Sequence, residues 1–274
     1  MAVVRAATAS QVALGHLIDY AGMYPPESLS LAEALSTYQR HQRGAHRWML
    51  GVLLCPSSQL HDLEWMLGGK PTPVGVVVDQ PIVEALEAMA ISGLRIRQVE
   101  TRDLAIADHL ALMARNQDLW LETDPKRVLD IAVESPGRMI GVKLRCGGPN
   151  PADFPSSENL SEVMHTTFAC GLAFKATAGL HHPWRHFWPE LGVWRHGFMN
   201  LAAAAAALVL NGDRDAATEM IEATDGRLGR SGLRVGSREF TASDLRSARI
   251  FFRSYGSCSF DEPVEDLLLT GSLW

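Results

Sequence analysis

Cysteine is scarce: Cys55, Cys146, Cys170 and Cys258 are the only four in 274 residues, and no two form a Cys-x-x-Cys pair. That rules out a disulfide framework and reads as a protein of the reduced cytoplasm. Basic residues are neither in excess nor gathered into a run. With 25 Lys and Arg against 31 Asp and Glu, the net charge is −6, and a nucleic-acid backbone has no evident electrostatic footprint. Long apolar runs are also missing. The longest, 201–210, covers half of the roughly 20 residues that a bilayer requires. The opening MAVVRAATASQVALGHLIDY lacks the unbroken apolar stretch of a signal peptide. A soluble cytoplasmic protein is expected, with no membrane partner. Glycine and proline, at 23 and 14, are near average, so the chain is neither collagen-like nor a flexible linker. No internal repeat suggests a solenoid.

What the chain does have is a rhythm. With 47% hydrophobic and 20% charged residues it can bury one large core. Short apolar runs at 17–21, 48–55, 74–79, 94–99, 119–122, 139–145, 172–178 and 250–257 are each followed by a polar break and a helical pattern. Ser30 and Glu33 stand at capping-box spacing, Pro81 suits a first helical turn, Asp124-Pro125 opens a helix through Val133, and Asp261 can cap the last helix. Eight strand–helix units predict a parallel sheet with right-handed crossovers. In a chain of this length they point to an α/β fold of the closed (β/α)8 TIM-barrel type, one domain over 1–274. A doubly wound open sheet is the rival, but the Gly-rich first turn it usually carries is absent. Residues 224–240 break the rhythm and read as an insertion before the eighth strand.

In such a barrel the chemistry sits at the C-terminal strand ends. The polar residues there are Asp19, Cys55, Asp79, Glu100, Glu122, Lys143 with Arg145, Lys175 with Thr177, and Ser257 with Ser259. Strand alternation puts Lys143 and Arg145 on one face and Lys175 and Thr177 on another. Their neighbours Val142, Leu144, Phe174 and Ala176 are apolar, so the charged set points inward. Like charges there would lower one another's pKa and favour a neutral, nucleophilic amine. The plainer readings are a buried ionic network with Asp19, Asp79 or Glu122, or non-covalent binding of an anion. Asp19, Lys143, Lys175 and Ser257 are expected to face one cavity.

The segment Lys175-Ala176-Thr177-Ala178-Gly179 resembles the Lys-small-Ser/Thr-small-Gly strand of class I aldolases of the deoxyribose-phosphate aldolase type. Lys143 through Gly148 (KLRCGG) is loosely similar to their second lysine strand. The resemblance covers about a dozen residues. The two motifs come in reversed order along the chain, and KLRCGG has an extra residue before the glycines. What it implies is a (β/α)8 barrel in which one strand lysine forms an imine and a neighbouring-strand lysine tunes it. Lys175 would take the first role and Lys143 the second, though the departures leave the assignment open.

The segment LHHPWRHFWPELGVWRHGFMN concentrates His181, His182, His186 and His196 with two arginines and three tryptophans. It reads as a substrate lid with imidazoles for proton transfer, as a metal site with a strand carboxylate, or as a polar loop docked by its aromatics. No compact ligand spacing supports the metal. At 256–261, small residues before the last helix would let a phosphate approach, but Asp261 and Glu262 oppose one, and an N-cap with packing serines fits equally. Cys258 has no basic partner nearby in sequence.

The expected function is a Schiff-base lyase acting on a small carbonyl-containing or acidic metabolite, without cofactor or metal. Lys175, Lys143, Asp19, Glu122, His181 and His182 would be catalytic. Arg145, Asp79, Thr177, His196, Ser257 and Ser259 would bind substrate. The alternatives are a metal-dependent hydrolase of the same fold and a non-catalytic ligand-binding barrel. Substrate identity and oligomeric state are not encoded in any pattern.

Overall fold

The computed structural model describes residues 7–113, 117–124, 127, 128, 130 and 140–272. Seven of the apolar runs become β1 (Ile18–Tyr20), β2 (Leu50–Pro56), β3 (Pro73–Val77), β4 (Arg95–Thr101), β5 (Asp118–Glu122), β6 (Ile140–Arg145) and β7 (Phe174–Thr177). Five short strands follow, β8 (His186–Trp188), β9 (Val193–Arg195), β10 (Gly226–Leu228), β11 (Gly232–Val235) and β12 (Arg238–Thr241). The eighth barrel strand is β13 (Phe252–Ser257). The barrel order is β1-β13-β7-β6-β5-β4-β3-β2, and every neighbour is parallel. This is a (β/α)8 TIM barrel. It closes where β1 pairs with β13, Ile18 opposite Tyr255.

The helices begin where side chains can satisfy the free amides of a first turn. Ser30 Oγ accepts from the Glu33 amide, and Glu33 accepts from the Ser30 amide at 2.9 Å, opening helix Leu31–Arg43. Ser156 Oγ accepts from the Asn159 amide at the start of Ser157–Ala169, and Pro81 immediately precedes Ile82–Ile91. Asp261 differs from expectation. It is the first residue of helix Asp261–Leu269 and caps nothing, because its carboxylate is drawn to Arg40 at 3.1 Å, while Ser259 Oγ accepts from the Glu262 amide. The helix expected from Pro125 to Val133 lies largely outside the described residues.

Two segments lacking the main rhythm prove to be antiparallel. The histidine-rich stretch forms the β8–β9 hairpin, and 226–241 folds into the small sheet β10-β11-β12. Between them, helix Phe198–Asn211 is buried on all sides from Phe198 to Leu208. Its six consecutive alanines let it lie close under its neighbours. No described helix is long and apolar enough to cross a membrane.

Outward-facing strand side chains such as Val142, Leu144, Phe174 and Ala176 form the layer between barrel and helices. The interior holds a large ring as well: Trp120, on β5, is 2% exposed. Gly141 on the paired strand makes room for it, since a Cβ there would fall well inside van der Waals contact of the indole and 3.2 Å from the Ala173 carbonyl. Gly141→Ala should therefore destabilise the barrel by about 1–3 kcal/mol through overpacking. Urea unfolding followed by fluorescence measures this, and an unchanged midpoint would show that the ring can move aside.

Candidate active site

Four inward residues stand in lateral register on successive strands: Glu122 beside Lys143, Lys143 beside Lys175, and Lys175 beside Ser254. Glu100 of β4 and Asp19 of β1 reach the same space. Lys175 Nζ lies 2.5 Å from Asp19 and 2.6 Å from Glu100, while Lys143 Nζ lies 2.6 Å from Glu100 and 2.7 Å from Glu122. The charges therefore alternate along one chain, Asp19–Lys175–Glu100–Lys143–Glu122. The remaining acceptor sites are also used. Gln98 Nε2 donates to Asp19 and Glu100 at 3.1 Å each, and the Val52 amide and Ser254 Oγ donate to Asp19. Arg102 closes the upper end on Glu122 at 2.7 Å, with Arg145 farther off at 3.8 Å.

This geometry reverses the expected electrostatics. Burial alone would lower the pKa of Lys175, but Asp19 and Glu100 outweigh it and hold the ammonium above its ordinary value. The like-charge depression expected from Lys143 does not govern, because Glu100 stands between the two amines. Burial likewise opposes ionisation of Glu100, yet Lys143 and Lys175 pull its pKa from the usual 4.5 down to about 2. Glu122 is lowered in the same way, against burial, chiefly by Lys143.

A cavity of about 730 Å³ opens above the network at the C-terminal strand ends. Of the expected site residues, Lys143, Glu122, Arg145, Asp79, Thr177, His181 and Ser257 line it. The expectation that Asp19 and Lys175 share its wall is not met. Lys175 has no solvent exposure and lies beneath the floor, and Asp19 lines a separate cavity at the N-terminal strand ends. The reason is depth: Lys175 is pulled down toward Asp19, and Lys143 up toward Glu122.

Three further candidates lie outside the cavity lining. Ser259 is occupied by the Glu262 amide, His196 is buried with Nε2 on the Pro155 carbonyl at 2.7 Å, and His182 turns to Asp266. Burial lowers the pKa of His196, which suits a neutral packing role. Asp79 is fixed in the wall by Ser57 and Ser58, whose hydroxyls donate at 2.8 and 2.6 Å. Burial works against its charge, and these donors, Ser58 first, keep the carboxyl below its ordinary pKa.

Sequence reasoning missed other parts of the site. Glu100 was recognised as a strand-end residue but not as the bridge between the lysines. Arg195 lies flat on Trp188, its guanidinium carbon 3.3 Å from the ring centroid, and both line the cavity. Cys258 does have a basic partner, His181, brought in from the loop after β7. Among the described residues no three His, Cys, Asp or Glu side chains are grouped so as to hold a metal ion. No protein-family model and no curated protein matches this chain.

The network makes stability depend on pH in a defined direction. Glu100 contributes fully above its unpaired value of 4.5, and the contribution is lost as pH falls toward 2. Lys175 contributes fully below 10.5 and loses its share only at higher pH. Glu100→Gln should cost about 3–5 kcal/mol at pH 7, because it leaves two buried ammonium groups short of a counter-charge. It should also flatten the loss of stability between pH 4.5 and 2. Denaturant titrations of both proteins across pH measure both effects. Parallel stability curves would show that Glu100 carries no net charge linkage.

Proposed function

We propose that the barrel is a Schiff-base enzyme of the lyase class, acting on a small carbonyl compound that carries an anionic group, with Lys143 as the amine. The observation that carries this reading is that Lys143 is the barrel lysine lining the cavity, and its Nζ is held between two carboxylates, Glu100 and Glu122. An amine that must lose a proton, attack a carbonyl and help expel water needs a proton acceptor within hydrogen-bond reach. Glu122, at the cavity edge, is that acceptor.

In solvent the ion pair is the favoured state. When a carbonyl substrate enters and displaces water, moving the proton from Lys143 to Glu122 replaces two charges with two neutral groups, which desolvation favours. The neutral amine attacks the carbonyl carbon and forms a carbinolamine. Glu122 returns the proton to its hydroxyl, which leaves as water, giving the imine. Lys175 stays charged below. Its role is to fix Glu100, whose ionised form then steadies the cationic imine. This exchanges the roles that the aldolase resemblance implies: Lys143 reacts and Lys175 tunes. Arg145 and Arg195, both in the cavity wall, are suited to the substrate's anionic group.

Borohydride reduction in the presence of small aldehydes and keto acids, followed by peptide mapping, tests the proposal. The expected result is an adduct at Lys143 that is lost in Lys143→Met, with turnover falling by a factor of about 10³ or more. An adduct at Lys175 would overturn the assignment. Turnover of a carbonyl substrate with no trapped lysine would overturn the Schiff-base reading, and saturable binding without turnover would make the barrel a binding protein.

A further inference from the structure

A second constellation sits at the rim of the same cavity and shares no residue with the lysine chain. Cys258, directly after β13, and His181, after β7, both line the cavity. Cys258 Sγ is 3.9 Å from His181 Nε2, and His181 Nδ1 is 2.6 Å from Glu262 Oε2. In the tautomer that donates Nδ1–H to the Glu262 carboxylate, the ring presents a bare Nε2 lone pair to the thiol. The three residues come from two loops and one helix, and their order is nucleophile, base and orienting carboxylate.

We propose that Cys258, His181 and Glu262 form a second covalent centre, in which Cys258 takes an acyl group from an ester or thioester bound in the cavity. Cys258 S–H gives its proton to His181 Nε2 as the sulfur–carbon bond forms. His181 returns the proton to the departing alcohol or thiol as the carbon–oxygen or carbon–sulfur bond breaks, and water later releases the acid. Burial, with Glu27 and Glu262 adding to it, pushes the thiol up to about 11. The resting sulfur is therefore protonated, and its reactivity depends on His181 as base rather than on a standing thiolate. Glu262 is a positioning residue that holds the imidazole in the right tautomer.

The test uses p-nitrophenyl acetate with the intact protein, following p-nitrophenolate release and mapping the acetylated peptide by mass spectrometry. Acetylation is expected at Cys258. His181→Ala should slow it about a hundredfold, and added imidazole should restore part of the rate, which a purely structural effect would not allow. Glu262→Gln should slow it less than His181→Ala and gain less from imidazole. Acetylation at Lys143 or at no residue, or a Cys258 rate unchanged by His181→Ala, would overturn the proposal. Because borohydride trapping reads Lys143 and acetylation reads Cys258, either reading can fail without the other.

Discussion

A lysine ammonium with no solvent contact is tolerable only where other groups replace its hydration, and Lys175 finds them in Asp19 and Glu100. Much of the interior follows from that requirement. Asp19 must be held in place, and the Val52 amide, Gln98 and Ser254 hold it. Glu100 must be ionised, and its second oxygen is then free to bind Lys143, which brings that amine to the cavity floor. The side chains of β1, β4, β6 and β7 are thereby tied across the barrel. A packed apolar interior would serve stability as well or better.

The strands were legible because each apolar run is short, bounded by polar breaks and followed by a helical period. The inward direction of the lysines was legible because Val142, Leu144, Phe174 and Ala176 claim the opposite face. Capping chemistry located the helix after Ser30 to the residue. Depth was not legible. Alternation assigns a side chain to a face but not to a height along the barrel axis, which depends on strand stagger and on how far a long side chain is pulled. Lys143 and Lys175 are lateral neighbours, yet one reaches the cavity and the other does not. The pairing of Cys258 with His181 was hidden for a different reason, since loop conformation brings together residues that are 77 apart in sequence.

The rim has its own logic. Three of the four carboxylates on helix Asp261–Leu269 each meet a histidine: Asp261 with His41, Glu262 with His181, and Asp266 with His182. The adjacent histidines of the loop after β7 thus point to successive turns of one helix instead of converging on an ion. This couples that loop to the C-terminal helix as a single wall of the cavity. On the opposite wall Asp79 is held by the serine hydroxyls, so two sides of the cavity are tied by side-chain hydrogen bonds.

Barrel closure between β1 and β13 has a consequence for how the chain is made. The partners of Asp19 are separated from it by 156 residues in Lys175 and 235 in Ser254. During vectorial synthesis the first strand emerges long before the Lys175 counter-charge and the Ser254 hydroxyl, and the ionic interior cannot be assembled piecewise from its N-terminal half. A high contact order of this kind slows folding, and partly made chains would leave open strand edges at β1 and around unpaired lysines. The charges that occupy the finished interior also keep those intermediates polar along the face that will later be enclosed. The same residues then hinder premature collapse before closure and lock the barrel after it.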